Sequence, residues 1–109
     1  KKLKAFDKEQ FQEVQFFEVT LTRDFNARNV FYDKNKEQLI LKNTKDSISY
    51  VFSDTIIIRN KDTFQIEVAD KELFLDGKTV QENTIDAIEI NLSENYGGKT
   101  LFIHKAKDA

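Results

Sequence analysis

The side chains able to do chemistry are few in this sequence and far apart. His104 is its single histidine. A catalytic histidine needs a nucleophile or an orienting carboxylate beside it. The neighbouring "FIHKAK" supplies neither, so His104 reads as a surface side chain. Cysteine is absent, which removes thiolate nucleophiles, disulfides and cysteine-held metals. "DKNKEQ", Asp33 to Gln38, places oxygen donors at the first, third and fifth positions of a calcium-type loop. Such a loop needs glycine at its sixth position and glutamate at its twelfth, where this chain has Gln38 and Thr44. The interleaved lysines also oppose a cation, so a solvated loop from helix to strand is expected. "YGGK", Tyr96 to Lys99, has the glycines of a phosphate cradle but lies between two strand-like runs. A cradle needs a strand before it and a helix after it, so a hairpin turn is expected instead. The 19 acidic residues present no pair marked by spacing as an acid–base dyad. No catalytic residue, cofactor-binding residue or metal ligand is therefore assigned, and a non-enzymatic protein without a cofactor is expected.

Seventeen basic residues against 19 acidic ones leave a formal charge of -2, too little to draw in nucleic acid or an anionic membrane. The basic residues are scattered apart from "KKLK" at the start and "HKAK" near the end. Tyr32, Tyr50, Phe52, Phe64, Phe74, Tyr96 and Phe102 alternate mostly with Ser, Thr, Asp, Gln and Glu. A base-stacking platform interleaves aromatics with Arg and Lys, so these rings are expected to pack a core, with no nucleic-acid partner. No apolar run approaches the roughly 18 residues that mark a membrane span, and no signal peptide is visible. At 109 residues, the whole chain is expected to form a single domain.

Such a core must be positioned by a small set of elements. Five of the ten phenylalanines fall between Phe11 and Tyr32. There Val14, Phe17, Leu21 and Phe25 recur at spacings of three and four, with Phe11 one turn before, as on an amphipathic helix. Asp7 and Gln10 have the spacing of a capping box. No glycine or proline interrupts the run, so a helix is predicted over about 7–31. Phe16 and Val19 lie off the stripe.

From Gln38 onward the period becomes two. "QLILKN", "SISYVF", "TIIIRN", "TFQIEV", "LFL", "KTV", "TIDAIEINL" and "KTLFIHK" read as strands over about 38–104, separated by polar turns. "DG" at Asp76 and Gly77 is the strongest hairpin dipeptide. The predicted fold is α+β: a long N-terminal amphipathic helix covering the apolar face of an antiparallel β-meander of about 6–8 short strands.

The order of these features resembles the periplasmic part of type IV pilin-like proteins, in particular minor pseudopilins of type II secretion systems and competence pilins. That group's helix commonly ends in Leu-x-x-Asp-Leu-x-x-Ala. Leu21, Asp24, Phe25 and Ala27 match it, with the alanine one position early. Tyr50, Phe52, Ile57, Ile58 and Arg59 fit the later strands, a Tyr-x-Phe-like one and an apolar one ending in Arg. The resemblance implies a structural subunit that works by assembling with other pilin or pseudopilin subunits. It implies an inner-membrane anchor, with this domain in the periplasm or outside the cell. The family's leader and apolar helix would precede Lys1, and "KKLK" would sit just outside the membrane. Phe16 and Val19 are then candidate subunit contacts. The alternative is a module that grips a small ligand or peptide, which requires an apolar pocket between helix and sheet.

Overall fold

A computed structural model describes residues 7–106; Lys1, Lys2 and Lys4 of "KKLK" lie outside the described residues. Helix α1 runs over Lys8–Ala27. Its start follows the capping-box expectation, because the Asp7 carboxylate accepts from the Gln10 amide at 2.8 Å and the Gln10 side chain accepts from the Asp7 amide at 3.2 Å. Val14, Phe17, Leu21 and Phe25 are buried along one stripe, whereas Phe11, one turn earlier, is exposed.

The helix stops before the predicted 31. Arg28 is already extended, with φ -142° and ψ 164°, and Asn29–Asp33 form strand β1. The physical reason lies in the side-chain period. Beyond Phe25 the apolar residues switch from spacings of three and four to two, and Val30 and Tyr32 both turn into the core. "DKNKEQ" consequently joins two strands rather than a helix and a strand. The Asp33 carboxylate accepts from the amides of Asn35 and Lys36, and the chain turns into β2, Gln38–Lys42.

The remaining strands are β3 (Ser47–Phe52), β4 (Ile57–Arg59), β5 (Asp62–Phe64), β6 (Val68–Leu75), β7 (Lys78–Val80), β8 (Asn83–Thr84), β9 (Ala87–Leu92) and β10 (Thr100–His104). The class is α+β as expected, but the described residues form ten strands where six to eight were anticipated. They also divide between two antiparallel sheets rather than forming one meander. The first has the order β5-β4-β3-β2-β1-β8 and the second β10-β9-β6-β7. Strands β1 to β5 do follow a meander. The break falls inside the predicted "TFQIEV" strand. Phe64 and Ile66 are both buried, but the backbone leaves the first sheet between them, with the Ile66 amide bonded to the Phe64 carbonyl. The alternation survives the bend, so periodicity alone does not reveal it. Strand β8 then returns to the first sheet, pairing Phe31 with Thr84 and Tyr32 with Asn83.

Two turns behave as their residues require. Asp76 (φ 53°) and Gly77 (φ 82°) both take positive φ between β6 and β7, the type I′ geometry that suits tight hairpins. "NYGG" begins within a short 3₁₀ turn, Glu94–Tyr96, continues through Gly97 and Gly98 at φ 73° and 60°, and leads from β9 to β10.

A single core joins the helix stripe to Leu39, Leu41, Ile48, Tyr50, Ile57 and Phe64 of the first sheet and Leu73, Ile88, Ile90, Leu101 and Ile103 of the second. Phe17 lies at its centre, edge-on to Tyr50 and Phe64 with centroids 6.1 and 5.3 Å away. Replacing Phe17 by Ala should cost about 3–5 kcal/mol through lost burial and a residual cavity. Urea denaturation monitored by circular dichroism should register this as a lower midpoint; a loss below about 1 kcal/mol would contradict a filled core.

Candidate functional site

The apolar stripe of α1 carries one carboxylate. Asp24 occupies the turn beside Leu21 and Phe25 and is buried. Its Oδ2 accepts from the Tyr50 hydroxyl at 2.6 Å and from Arg59 Nε at 2.8 Å, while Oδ1 accepts from Arg59 Nη2 at 3.2 Å. Arg28 approaches Oδ1 at 3.5 Å. Three elements converge here: α1 supplies Asp24, β3 supplies Tyr50 and β4 supplies Arg59. The two-pronged contact from Arg59 fits a planar guanidinium against a carboxylate.

The electrostatics follow from this geometry. The hydrogen bond to Asp24 raises the Arg59 pKa, outweighing burial. Burial raises the Tyr50 pKa first, and the adjacent carboxylate adds to that. The outer end of the cluster is Arg28, which forks onto Asp46 at 2.7 and 2.9 Å; that pairing holds the Asp46 carboxyl below its usual range. The oxygens of Asp24 are occupied by donors of this chain, and no buried side-chain polar atom is left unpartnered among the described residues. The cluster therefore suits a fastening between helix and sheet.

The other face of α1 is apolar in part. Phe16 is 64% and Val19 60% exposed, both on the turns facing away from the core. Phe16 leans over Phe64 at the β5 edge, with a centroid distance of 5.8 Å. A hollow of about 490 Å³ lies beside it, lined by Glu13, Phe16, Arg23, Arg59, Asp62 and Phe64 among others. The helix-to-sheet interface itself is filled by Phe17, Leu21 and Phe25. A wider groove of about 790 Å³ opens elsewhere, over Phe31, Ile40 and Leu75. His104 is exposed on β10, its ring 5.5 Å from that of Phe102. Phe102 itself is exposed rather than part of the core. Among the described residues no group of three or more His, Cys, Asp or Glu is placed to hold a metal ion. Likewise, no helix among them is long and apolar enough to cross a membrane.

No family model, curated protein or solved structure matches this chain.

Asp24, Tyr50 and Arg59 are each visible in the sequence, but their meeting is not. The available signal was a charged residue on the buried stripe of the predicted helix, which must find a partner when desolvated. Replacing Asp24 by Asn keeps the shape but leaves Arg59 facing the exposed Asp62 at 4.0 Å in place of its close, buried partner. Removing one partner of a buried pair costs about 3–5 kcal/mol, so chemical denaturation of Asp24→Asn should show a loss of that size, and a change under about 1 kcal/mol would refute the fastening role.

Alkaline pH offers a second test. Burial raises the pKa of Tyr32, Tyr50 and Tyr96. A folded pKa above the unfolded one gives stability that is present below the unfolded value, about 10 for tyrosine, and is lost as pH rises further. Thermal melts should show stability falling above about pH 10, with a shallower fall in Tyr50→Phe; an unchanged slope in that variant would contradict the assignment.

Proposed function

We propose that this chain is a non-enzymatic structural subunit of a type IV pilus-like or type II secretion pseudopilus filament, acting through assembly with other pilin or pseudopilin subunits. It would be anchored in a bacterial inner membrane, with this domain in the periplasm or outside the cell. The observation carrying this reading is the exposed pair Phe16 and Val19 on a helix whose opposite stripe already fills the core. Exposed apolar residues of this size on one helical face are suited to contact another protein surface. Further support comes from the fold class and from Asp24, Tyr50 and Arg59, all positions carried by the family resemblance, which fasten the helix to the sheet. A rigid mounting lets the helix transmit contacts made on its outer face.

A ligand-gripping module is the second reading. It calls for a pocket between helix and sheet, a space occupied here by Phe17, Leu21 and Phe25. The groove over Phe31, Ile40 and Leu75 is the widest of the apolar hollows described and would be the place to look for such a ligand.

Replacing Phe16 and Val19 by Ser separates assembly from folding. Loss of the Phe16–Phe64 ring contact should change the stability of the domain by only about 1 kcal/mol. The full-length protein in its native host should nevertheless lose filament assembly, measured by electron microscopy. Normal assembly of the double variant, or an unrelated domain encoded directly before Lys1, would overturn the proposal.

A further inference from the structure

The outer face of the second sheet has a composition at odds with a simple solvated surface. Strand register aligns His104, Ala87 and Phe74 in one row and Phe102, Glu89 and Glu72 in the next. Thr100, Asn91 and Asp70 form a third. In the first two rows, Phe74 and Phe102 meet edge-on at 6.1 Å, and the His104 ring lies 5.5 Å beyond Phe102. They surround a hollow of about 510 Å³ over Ala87. Phe102 is 51% exposed.

The charges in the rows beside these rings are acidic: Glu72, Glu89 and Asp70 on the sheet, with Asp86 at the rim of the hollow. Glu72 and Glu89 face each other directly across β6 and β9, and like charges so placed destabilise a sheet. The Asn91 amide bridges Asp70 and Glu89 at 2.6 and 3.2 Å. Among the described residues, Asp70, Glu72 and Glu89 make no ion pair. Lys105 borders the hollow, but its amine donates to the Arg28 carbonyl and lies over the Phe25 ring.

Aromatic faces flanked by carboxylates attract a cation twice, through the ring quadrupole and through charge. Arginine suits both, because its guanidinium stacks on rings and forks onto carboxylates. We infer that this face docks an extended, arginine-bearing segment of a partner protein. Side chains two residues apart on an extended segment are about 6.7 Å apart, the spacing of successive rows on the sheet. One arginine would cover Phe102 beside Glu89, and the next would reach Asp70. This inference concerns a different surface from Phe16 and Val19 and does not depend on the filament proposal.

The probe is the peptide acetyl-Arg-Thr-Arg-amide, titrated into the 109-residue chain and followed by amide NMR shifts. Changes should concentrate at Glu72, Phe74, Ala87, Glu89 and Phe102. The double variant Glu72→Gln, Glu89→Gln should weaken binding about tenfold, and raise or preserve the melting temperature because the facing charges are gone. Phe102→Ser should weaken binding about fivefold. Several outcomes would overturn the inference: no localised shifts, equal affinity in the glutamine variant, or the same response to acetyl-Glu-Thr-Glu-amide. Shifts at these residues on concentrating the protein alone would assign the face to a second copy and overturn it too.

Discussion

The contact between Asp24 and its partners on β3 and β4 governs how the helix can sit. Hydrophobic burial fixes which stripe of α1 faces inward, but it discriminates poorly along the axis. A slide of one turn, about 5.4 Å, would exchange one apolar residue for another. The same slide would take Asp24 from the Tyr50 hydroxyl and the Arg59 fork, leaving a buried charge without donors. Asp24 is the one charged side chain fully buried among the described residues. It thus supplies positional discrimination that Leu21 and Phe25 cannot provide.

That mounting gives the helix two unlike faces. The inner one is committed to Tyr50, Phe64 and the rest of the core. The outer one leans Phe16 on Phe64, ties Asn26 to the end of β10 and leaves Val19 exposed. The second sheet has a comparable division. Leu101 and Ile103 fill the core, while Phe102 and His104, alternating with them, face outward.

Much of this architecture was legible in the sequence because it depends on local period. The helix stripe, the capping box at Asp7 and the Asp76–Gly77 hairpin follow from residues within a few positions of each other. The inward faces of β3, β9 and β10 are equally local. What escaped depends on partners far along the chain. Nothing near Phe64 announces that Ile66 belongs to a different layer, since alternation continues through the bend. Asn29 to Phe31 looked like the tail of a helix because no glycine or proline marks Arg28. The pairing of β1 is set by Leu39 and Leu41 on one side and Asn83 and Thr84 on the other. The Asp24 cluster was half legible: a carboxylate on an apolar stripe demands a partner, but only the tertiary fold says that the partners are Tyr50 and Arg59. Phe16 and Val19 stood off the stripe in the sequence and remain outside the core in space.

The end of the helix is also tied to β10. Asn26 donates to the His104 carbonyl across 78 positions of chain, and Lys105 reaches the Arg28 carbonyl. Between these partners the chain must build both sheets, including the return of β8 to β1. Such non-local closure slows folding, because the entropy of long loops is lost before the contacts reward it. The bond from Asn26 to His104 therefore closes a loop spanning most of the described chain, and the helix end and β10 hold each other in place.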